Sequence, residues 1–153
     1  MAAGRGMNWM RVAGAALLAL AAFSAHAIEY RSVAVDAAIL YDGPSLQARK
    51  TFLLSRYYPV EIIVTLENWV KVRDATGALA WIETKNLGDN RTVLVTAPVA
   101  DVRQSPSPNA PLAFQAEKDV ALELVEFDSS GWVKVKHRDG RTGYVQVGQV
   151  WGL

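Results

Sequence analysis

The chain has 153 residues, of which 51% are hydrophobic and 20% charged, with 16 basic and 15 acidic side chains. This near-neutral balance offers no basic footprint for nucleic acid or for an anionic membrane, so neither is an expected partner. The absence of cysteine excludes disulfides, thiolate metal sites and dithiol redox chemistry.

Residues 1–27 have the pattern of a secretory signal peptide. Two arginines precede an apolar run over 12–23, and Ala25 and Ala27 supply the small residues needed for cleavage. This pattern predicts cleavage after Ala27 and a periplasmic location. The alternative is an N-terminal membrane anchor, but the apolar run is shorter than the roughly 20 residues that span a bilayer. No cysteine is available for lipid attachment, so we expect no stable membrane anchor.

The segment that follows reads as a small β unit. The apolar run 60–66 and the alternating Trp69-Val70-Lys71-Val72 predict two half-buried strands joined as a hairpin. A further strand is expected after the turn at 74–77, and 84–87 is short enough for a single 3₁₀ turn. Ahead of the hairpin we expect a long irregular loop over 42–57, because proline cannot donate hydrogen bonds to a sheet.

The same order of elements then returns. Trp132-Val133-Lys134-Val135 repeats the earlier Trp strand 63 residues later, and a second proline-containing stretch covers 104–119. An internal repeat of this length predicts two copies of one structural unit. We therefore expect two domains, 28–88 and 89–153, each a small five-stranded barrel with one large loop. Their short polar connector favours packing of the two copies against one another.

The combined motifs resemble the bacterial SH3-like (SH3b) family, in the tandem form found in small exported proteins of Gram-negative bacteria. The second copy carries Asp101-Val102-Arg103, Ser105-Pro106-Ser107 and Gly143-Tyr144-Val145, while the first has Tyr41 and Ala80 where the family has arginine and glycine. The resemblance implies an all-β fold of two SH3-like five-stranded barrels in tandem. It also implies recognition of cell-wall material or peptide in the envelope.

Aromatic side chains are the candidate ligand contacts, because they combine a large contact area with a polar tip. The alternative is that they pack within the fold; with the strand valines facing inward, the Trp rings face outward or toward the other repeat. Because Tyr41 and Tyr57-Tyr58 flank the long loop of the first repeat, we expect a groove there, and the second repeat to be a supporting domain. The candidate ligand-binding residues are Tyr41, Tyr57, Tyr58, Trp69, Trp81, Arg103, Trp132 and Tyr144.

Catalytic and metal sites have weak support in the sequence. His137 and Asp139 share a turn, and Ser129-Ser130 lies on the preceding one, but nothing in the pattern orients a catalytic triad. One histidine among scattered carboxylates does not make a metal site, so we expect no metal and no cofactor. These observations predict a non-catalytic periplasmic binding module, and the family resemblance implies that it recognises peptidoglycan stem peptide or another cell-envelope ligand. The alternative is a protein–protein adaptor that docks through its edge strands on an envelope enzyme or assembly. A hydrolase is a more distant alternative. The sequence does not determine the oligomeric state.

Overall fold

The structure is a computed structural model that describes residues 26–153. Over this range the regular structure consists of short β-strands and two single 3₁₀ turns, which confirms the all-β prediction. None of the helical segments in this range has the length and apolarity needed to cross a membrane. The predicted signal peptide, apart from its last two residues, lies outside the described residues.

The first repeat folds into one antiparallel sheet of seven strands, in the order β3-β2-β6-β5-β4-β1-β7. The predicted hairpin is present as β4 and β5, and the predicted 3₁₀ turn forms at Thr84–Asn86. The strands are β1 (Tyr30–Val33), β2 (Ala37–Tyr41), β3 (Lys50–Ser55), β4 (Pro59–Thr65), β5 (Trp69–Arg73), β6 (Leu79–Glu83) and β7 (Leu87–Gly88).

The second repeat has the same strand order, β10-β9-β13-β12-β11-β8-β14. A 3₁₀ turn again precedes its last strand, at Val147–Gln149. The two sheets therefore confirm the tandem repeat. The strands are β8 (Thr92–Val95), β9 (Val99–Arg103), β10 (Leu112–Glu117), β11 (Ala121–Phe127), β12 (Trp132–Lys136), β13 (Thr142–Gln146) and β14 (Val150–Trp151).

The sheets differ from the predicted five-stranded barrels in strand number and closure. Each sheet has seven strands, and its two end strands are not hydrogen-bonded to each other, so neither barrel is closed. The prediction of fully irregular stretches over 42–57 and 104–119 is wrong. The second part of each stretch is the edge strand β3 or β10, because the prolines occur only before these strands and leave their backbones free to pair.

Each sheet encloses its own apolar core. As the alternation predicts, Val70 and Val72 are buried in the first core and Val133 and Val135 in the second. Residues at the intervening positions project from the opposite side of the strand, since successive side chains point to opposite faces. This parity places the Trp and Lys of both Trp-Val-Lys-Val segments outside the two cores.

The two repeats pack directly on each other along β8. Val93 and Val95 of this strand belong to the second core, whereas Thr92 and Leu94 lie on its other face, toward the first repeat. Thr92 Oγ1 donates a 2.6 Å hydrogen bond to the carbonyl oxygen of Tyr57 in the first repeat. All four residues of β8 are consequently buried.

A second inter-repeat contact joins the first strand of the chain to the last. The Tyr30 and Trp151 rings meet edge to face, with centroids 5.2 Å apart. The Arg91 guanidinium lies 5.5 Å from the Tyr30 ring centroid and donates a 2.9 Å hydrogen bond to the carbonyl oxygen of Gly152. These contacts fix one repeat against the other.

Candidate functional site

Tyr41, Trp69, Lys71 and Trp81 lie on the outer side of the first sheet, and we call them the aromatic face. Tyr41 pairs with Trp81 across β2 and β6, and Trp81 pairs with Lys71 across β6 and β5. The three side chains therefore form one row across three strands. Trp69 lies two residues before Lys71, on the same side of β5.

The aromatic face presents two half-buried indoles, Trp69 and Trp81, and a cation lies beside the second of them. Tyr41 is buried, with 5% exposure, and its ring meets Trp69 edge to face at a centroid distance of 5.4 Å. Trp81 is half-buried, and the Lys71 ammonium lies 6.0 Å from its ring centroid. The face thus offers an apolar ring beside a cation, which suits contact with a sugar or peptide plane and attraction of a carboxylate.

The second repeat carries a related but different face. Arg103 pairs with Tyr144, which pairs with Lys134, and the Lys134 ammonium lies 6.0 Å from the Tyr144 ring centroid. Trp132 is only 7% exposed, whereas an outward-facing ring was one of the expectations from sequence. The second face therefore exposes a smaller aromatic area than the first.

Arg103 braces the loop 104–111 of the second repeat. Its Nη1 donates a 2.8 Å hydrogen bond to the carbonyl oxygen of Ala110, and its Nη2 lies 3.1 Å from Asp101 Oδ2. The first repeat, with Tyr41 at the equivalent position, uses Asp42 instead. The Asp42 carboxylate accepts hydrogen bonds from the backbone N–H and the Nε of Arg49, at 3.0 and 3.2 Å.

Tyr57 and Tyr58 lie away from the aromatic face, in the tight turn between β3 and β4. Both line a cleft between the two repeats, which we call the inter-repeat cleft. The Tyr58 hydroxyl accepts a 3.3 Å hydrogen bond from the N–H of Ala75, and burial raises the pKa of Tyr58 above its ordinary value. The eight residues singled out from sequence are thus distributed over two sheet faces and one cleft.

The sequence did not single out three cationic residues that belong to these sites. Lys71 and Lys134 share the strand parity of the Trp residues, and this parity was the available signal. Arg138 lines the inter-repeat cleft from the β12–β13 turn. No local pattern indicates that position, because the cleft forms only when the repeats dock.

The His137 turn does not form a catalytic triad. His137 Nδ1 lies 3.0 Å from Asp139 Oδ2, and Ser130 donates its hydroxyl hydrogen bond to Asp128. Hydrogen bonds from Arg141 hold the pKa of Asp139 well below its ordinary value. Among residues 26–153 there is no group of three or more His, Cys, Asp or Glu side chains that could hold a metal ion.

Comparison with known protein families identifies the family of this chain. The profile of the bacterial SH3 domain matches residues 34–89 and again residues 97–152. The chain belongs to the bacterial SH3 domain family. The first match covers β2 to β7 and the second covers β9 to β14, so each lies within one sheet and omits that sheet's first strand. The two matches confirm the resemblance drawn from the motifs.

Similarity to individual bacterial SH3 proteins is more limited. The chain is 36% identical over 54 residues to the cell wall-binding protein YwsB of Bacillus subtilis (strain 168). The matched segment covers 35% of this chain and 30% of that relative, so the chain spans less than a third of the relative's length.

Solved structures that match the chain include NlpC1 and NlpC2 from Trichomonas vaginalis and an NlpC/P60 family protein from Bacillus cereus ATCC 10987. Their TM-scores are 0.38, 0.37 and 0.38, and their sequence identities are 18%, 18% and 16%. The aligned regions cover 90%, 82% and 80% of this chain and 50%, 48% and 56% of those chains.

Proposed function

We propose that the protein is a non-catalytic binding module of the cell envelope that recognises peptidoglycan stem peptide or another envelope ligand. The signal peptide 1–27 directs it to the periplasm and is cleaved after Ala27. The observation that carries the proposal is the half-buried Trp81 ring beside Lys71 on the outer side of the first sheet. Membership of the bacterial SH3 family and the similarity to a cell wall-binding protein support it.

The aromatic face suits a polymer that alternates apolar planes with carboxylates. The Trp81 ring contacts a flat peptide or sugar surface, and Lys71 attracts a carboxylate next to it. Tyr41 is almost fully buried and acts by fixing Trp69 through their edge-to-face contact. Because Trp132 is covered, Tyr144 and Arg103 offer the second repeat a smaller contact area, which suits a supporting domain.

Co-sedimentation of the mature protein with purified cell-wall sacculi tests this function. We expect the wild type to pellet and Trp81→Ala to bind about tenfold more weakly, which corresponds to about 1.4 kcal/mol. Tyr144→Ala, the equivalent change in the second repeat, is the matched variant and should have a smaller effect. Undiminished pelleting of Trp81→Ala with its fold retained would contradict the site. Release of soluble muropeptides by the pure protein would overturn the non-catalytic assignment.

A second candidate function, an adaptor for an envelope protein, is favoured by the edge strand β3. Phe52 and Leu53 are 47% and 65% exposed there, and the outer edge of β3 pairs with no other strand of the described structure. An open edge can accept a strand from a partner chain. Under this alternative the wild type fails to pellet with sacculi, and Leu53→Lys abolishes cross-linking to an envelope protein in intact cells.

A further inference from the structure

The inter-repeat cleft has the dimensions of a ligand site. Its volume is about 480 Å³, within the range of roughly 300–1,000 Å³ typical of small-molecule pockets. A second hollow of about 210 Å³ shares three lining residues with it, namely Tyr57, Ala121 and Arg138. Side chains from both repeats are needed to form the walls, so the cleft is a property of the tandem arrangement.

The walls of the cleft consist of residues at which the two repeats differ. Tyr57 occupies the position of Asp119 in the second repeat, and Leu53 the position of Gln115. Arg138 stands where the first repeat has Ala75. The structure that the two repeats share therefore does not account for this set of side chains.

Tyr57 has an unfavourable backbone conformation for its residue type. Its φ is +71°, and Asp119 at the equivalent turn position has φ +69°; these are the two non-glycine residues with positive φ in the described range. A short polar residue such as Asp tolerates this region, whereas a bulky residue there loses roughly 1–2 kcal/mol. Glycine or asparagine would satisfy the turn at lower cost, so the backbone geometry does not explain the presence of Tyr57, which is 42% exposed and lines the cleft.

Two charged side chains of the cleft have no hydrogen-bond or ion-pair partner in the described chain. Neither the Arg138 guanidinium nor the Asp119 carboxylate makes a hydrogen bond or an ion pair with another residue of the described chain. Arg56, by contrast, is bound to Asp36 through a 2.9 Å contact. A free guanidinium fork recognises a carboxylate with two parallel hydrogen bonds, and a carboxylate accepts from a peptide N–H.

We propose that the inter-repeat cleft binds the free carboxyl terminus of a short peptide with apolar side chains. Arg138 pairs with the terminal carboxylate, and Asp119 accepts a hydrogen bond from a peptide N–H. Tyr57 and Leu53 contact the apolar side chains. This site is separate from the aromatic face, so either site can fail experimentally without the other.

Binding of N-acetyl-alanyl-alanine, monitored by amide chemical shifts of the labelled mature protein, tests the proposal. We expect shifts at Tyr57, Ala121 and Arg138, with at least tenfold weaker binding of the same dipeptide as its C-terminal amide. Acetate alone should bind at least tenfold more weakly than the dipeptide. Equal affinity for acid and amide, equal affinity for acetate, or no binding would each overturn the proposal.

Two substitutions distinguish a binding role from a structural one. Arg138→Gln should weaken dipeptide binding at least tenfold, whereas Arg49→Gln, at the opposite end of β3 from the turn, should leave it unchanged. Tyr57→Asn should weaken binding while retaining or raising the melting temperature, because asparagine tolerates positive φ. Unchanged dipeptide affinity in Arg138→Gln, or loss of affinity in Arg49→Gln, would contradict the assignment. Sacculus pelleting, which reports on Trp81, is measured separately for each variant.

Discussion

At the scale of single residues, Tyr58 links packing to an acid–base property that can be measured. Burial raises its pKa above the ordinary value of 10.0, because the folded state favours the neutral phenol. Its contribution to stability is therefore complete below pH 10 and is lost as the pH rises through the folded-state pKa.

Tyr58→Phe should lower the free energy of unfolding by about 1 kcal/mol at pH 7, since the hydrogen bond from the Ala75 N–H is lost. The difference from wild type should shrink above pH 10, because only the wild type loses the Tyr58 contribution. Urea unfolding between pH 7 and 11 measures both effects. Tyr30, whose pKa is also raised, is present in both proteins and cancels in the comparison. A constant difference across this range would contradict the assignment.

Arg103 should contribute to stability through the loop that it braces. Arg103→Ala removes the hydrogen bond to Ala110 and the contact with Asp101, and we expect a loss of about 1–3 kcal/mol in urea unfolding. Arg49→Ala in the first repeat is the matched control. It removes one exposed ion pair but keeps the backbone bond to Asp42, so its effect should stay within about 1 kcal/mol. Equal losses in the two variants would show that Arg103 does not brace its loop.

At the scale of elements, the sequence predicts the strands with strict alternation next to a turn and misses the two edge strands, β3 and β10, that follow the prolines. The Trp strands β5 and β12 follow a strict period of two and are confirmed. In β3, Phe52 and Leu53 are consecutive exposed apolar residues, because this edge strand lies only partly over the core. Neither the period nor the nearby proline indicates a strand there, and pairing with β2 is what creates it.

One pair of equivalent positions accounts for a departure of the first repeat from the family pattern. The second repeat has Gly143 where the first has Ala80. A Cβ placed on Gly143 would lie 2.7 Å from the carbonyl oxygen of Arg103 and 2.7 Å from Val102 Cγ1. Strand β13 therefore lies too close to β9 at Gly143 to admit a side chain, whereas β6 accommodates the methyl group of Ala80 beside β2.

Gly143→Ala should destabilise the protein by about 1–3 kcal/mol, because backbone and core atoms must move to admit the methyl group. The reciprocal change Ala80→Gly relieves no crowding and should cost about 0.5–1 kcal/mol through chain entropy and lost burial. Thermal and urea unfolding of the two variants give the comparison. A stability for Gly143→Ala equal to that of wild type would show that the second sheet has room for the methyl group.

At the scale of the whole molecule, the docking of the repeats is what the sequence reveals least. The repeat period and motifs predict two copies of one β unit, and the family match confirms it. The sequence groups Tyr57 and Tyr58 with Tyr41 because they flank one loop, yet the fold places them in a cleft that Arg138 also lines. Such groupings depend on contacts between residues about 80 positions apart, which no local pattern encodes.

The inter-repeat contacts predict that the two repeats unfold together. Thr92 is buried and bonded to Tyr57 of the other repeat, and Trp151 packs on Tyr30. The double variant Thr92→Val, Trp151→Ala removes a hydrogen bond worth about 1 kcal/mol and an aromatic pair worth about 0.5–1.5 kcal/mol. We expect one urea transition for wild type, coincident by tryptophan fluorescence and circular dichroism, and two separated or broadened transitions for the variant.

Phe127→Ala provides the control for this experiment, because it removes a large ring that is 58% exposed and touches neither contact. It should keep the single transition and change stability by about 0.5 kcal/mol or less. If wild type already unfolds in two steps, the inter-repeat contacts are weaker than the core of either sheet. The cleft would then be lost when the less stable sheet unfolds, and dipeptide binding should selectively stabilise the first of the two steps.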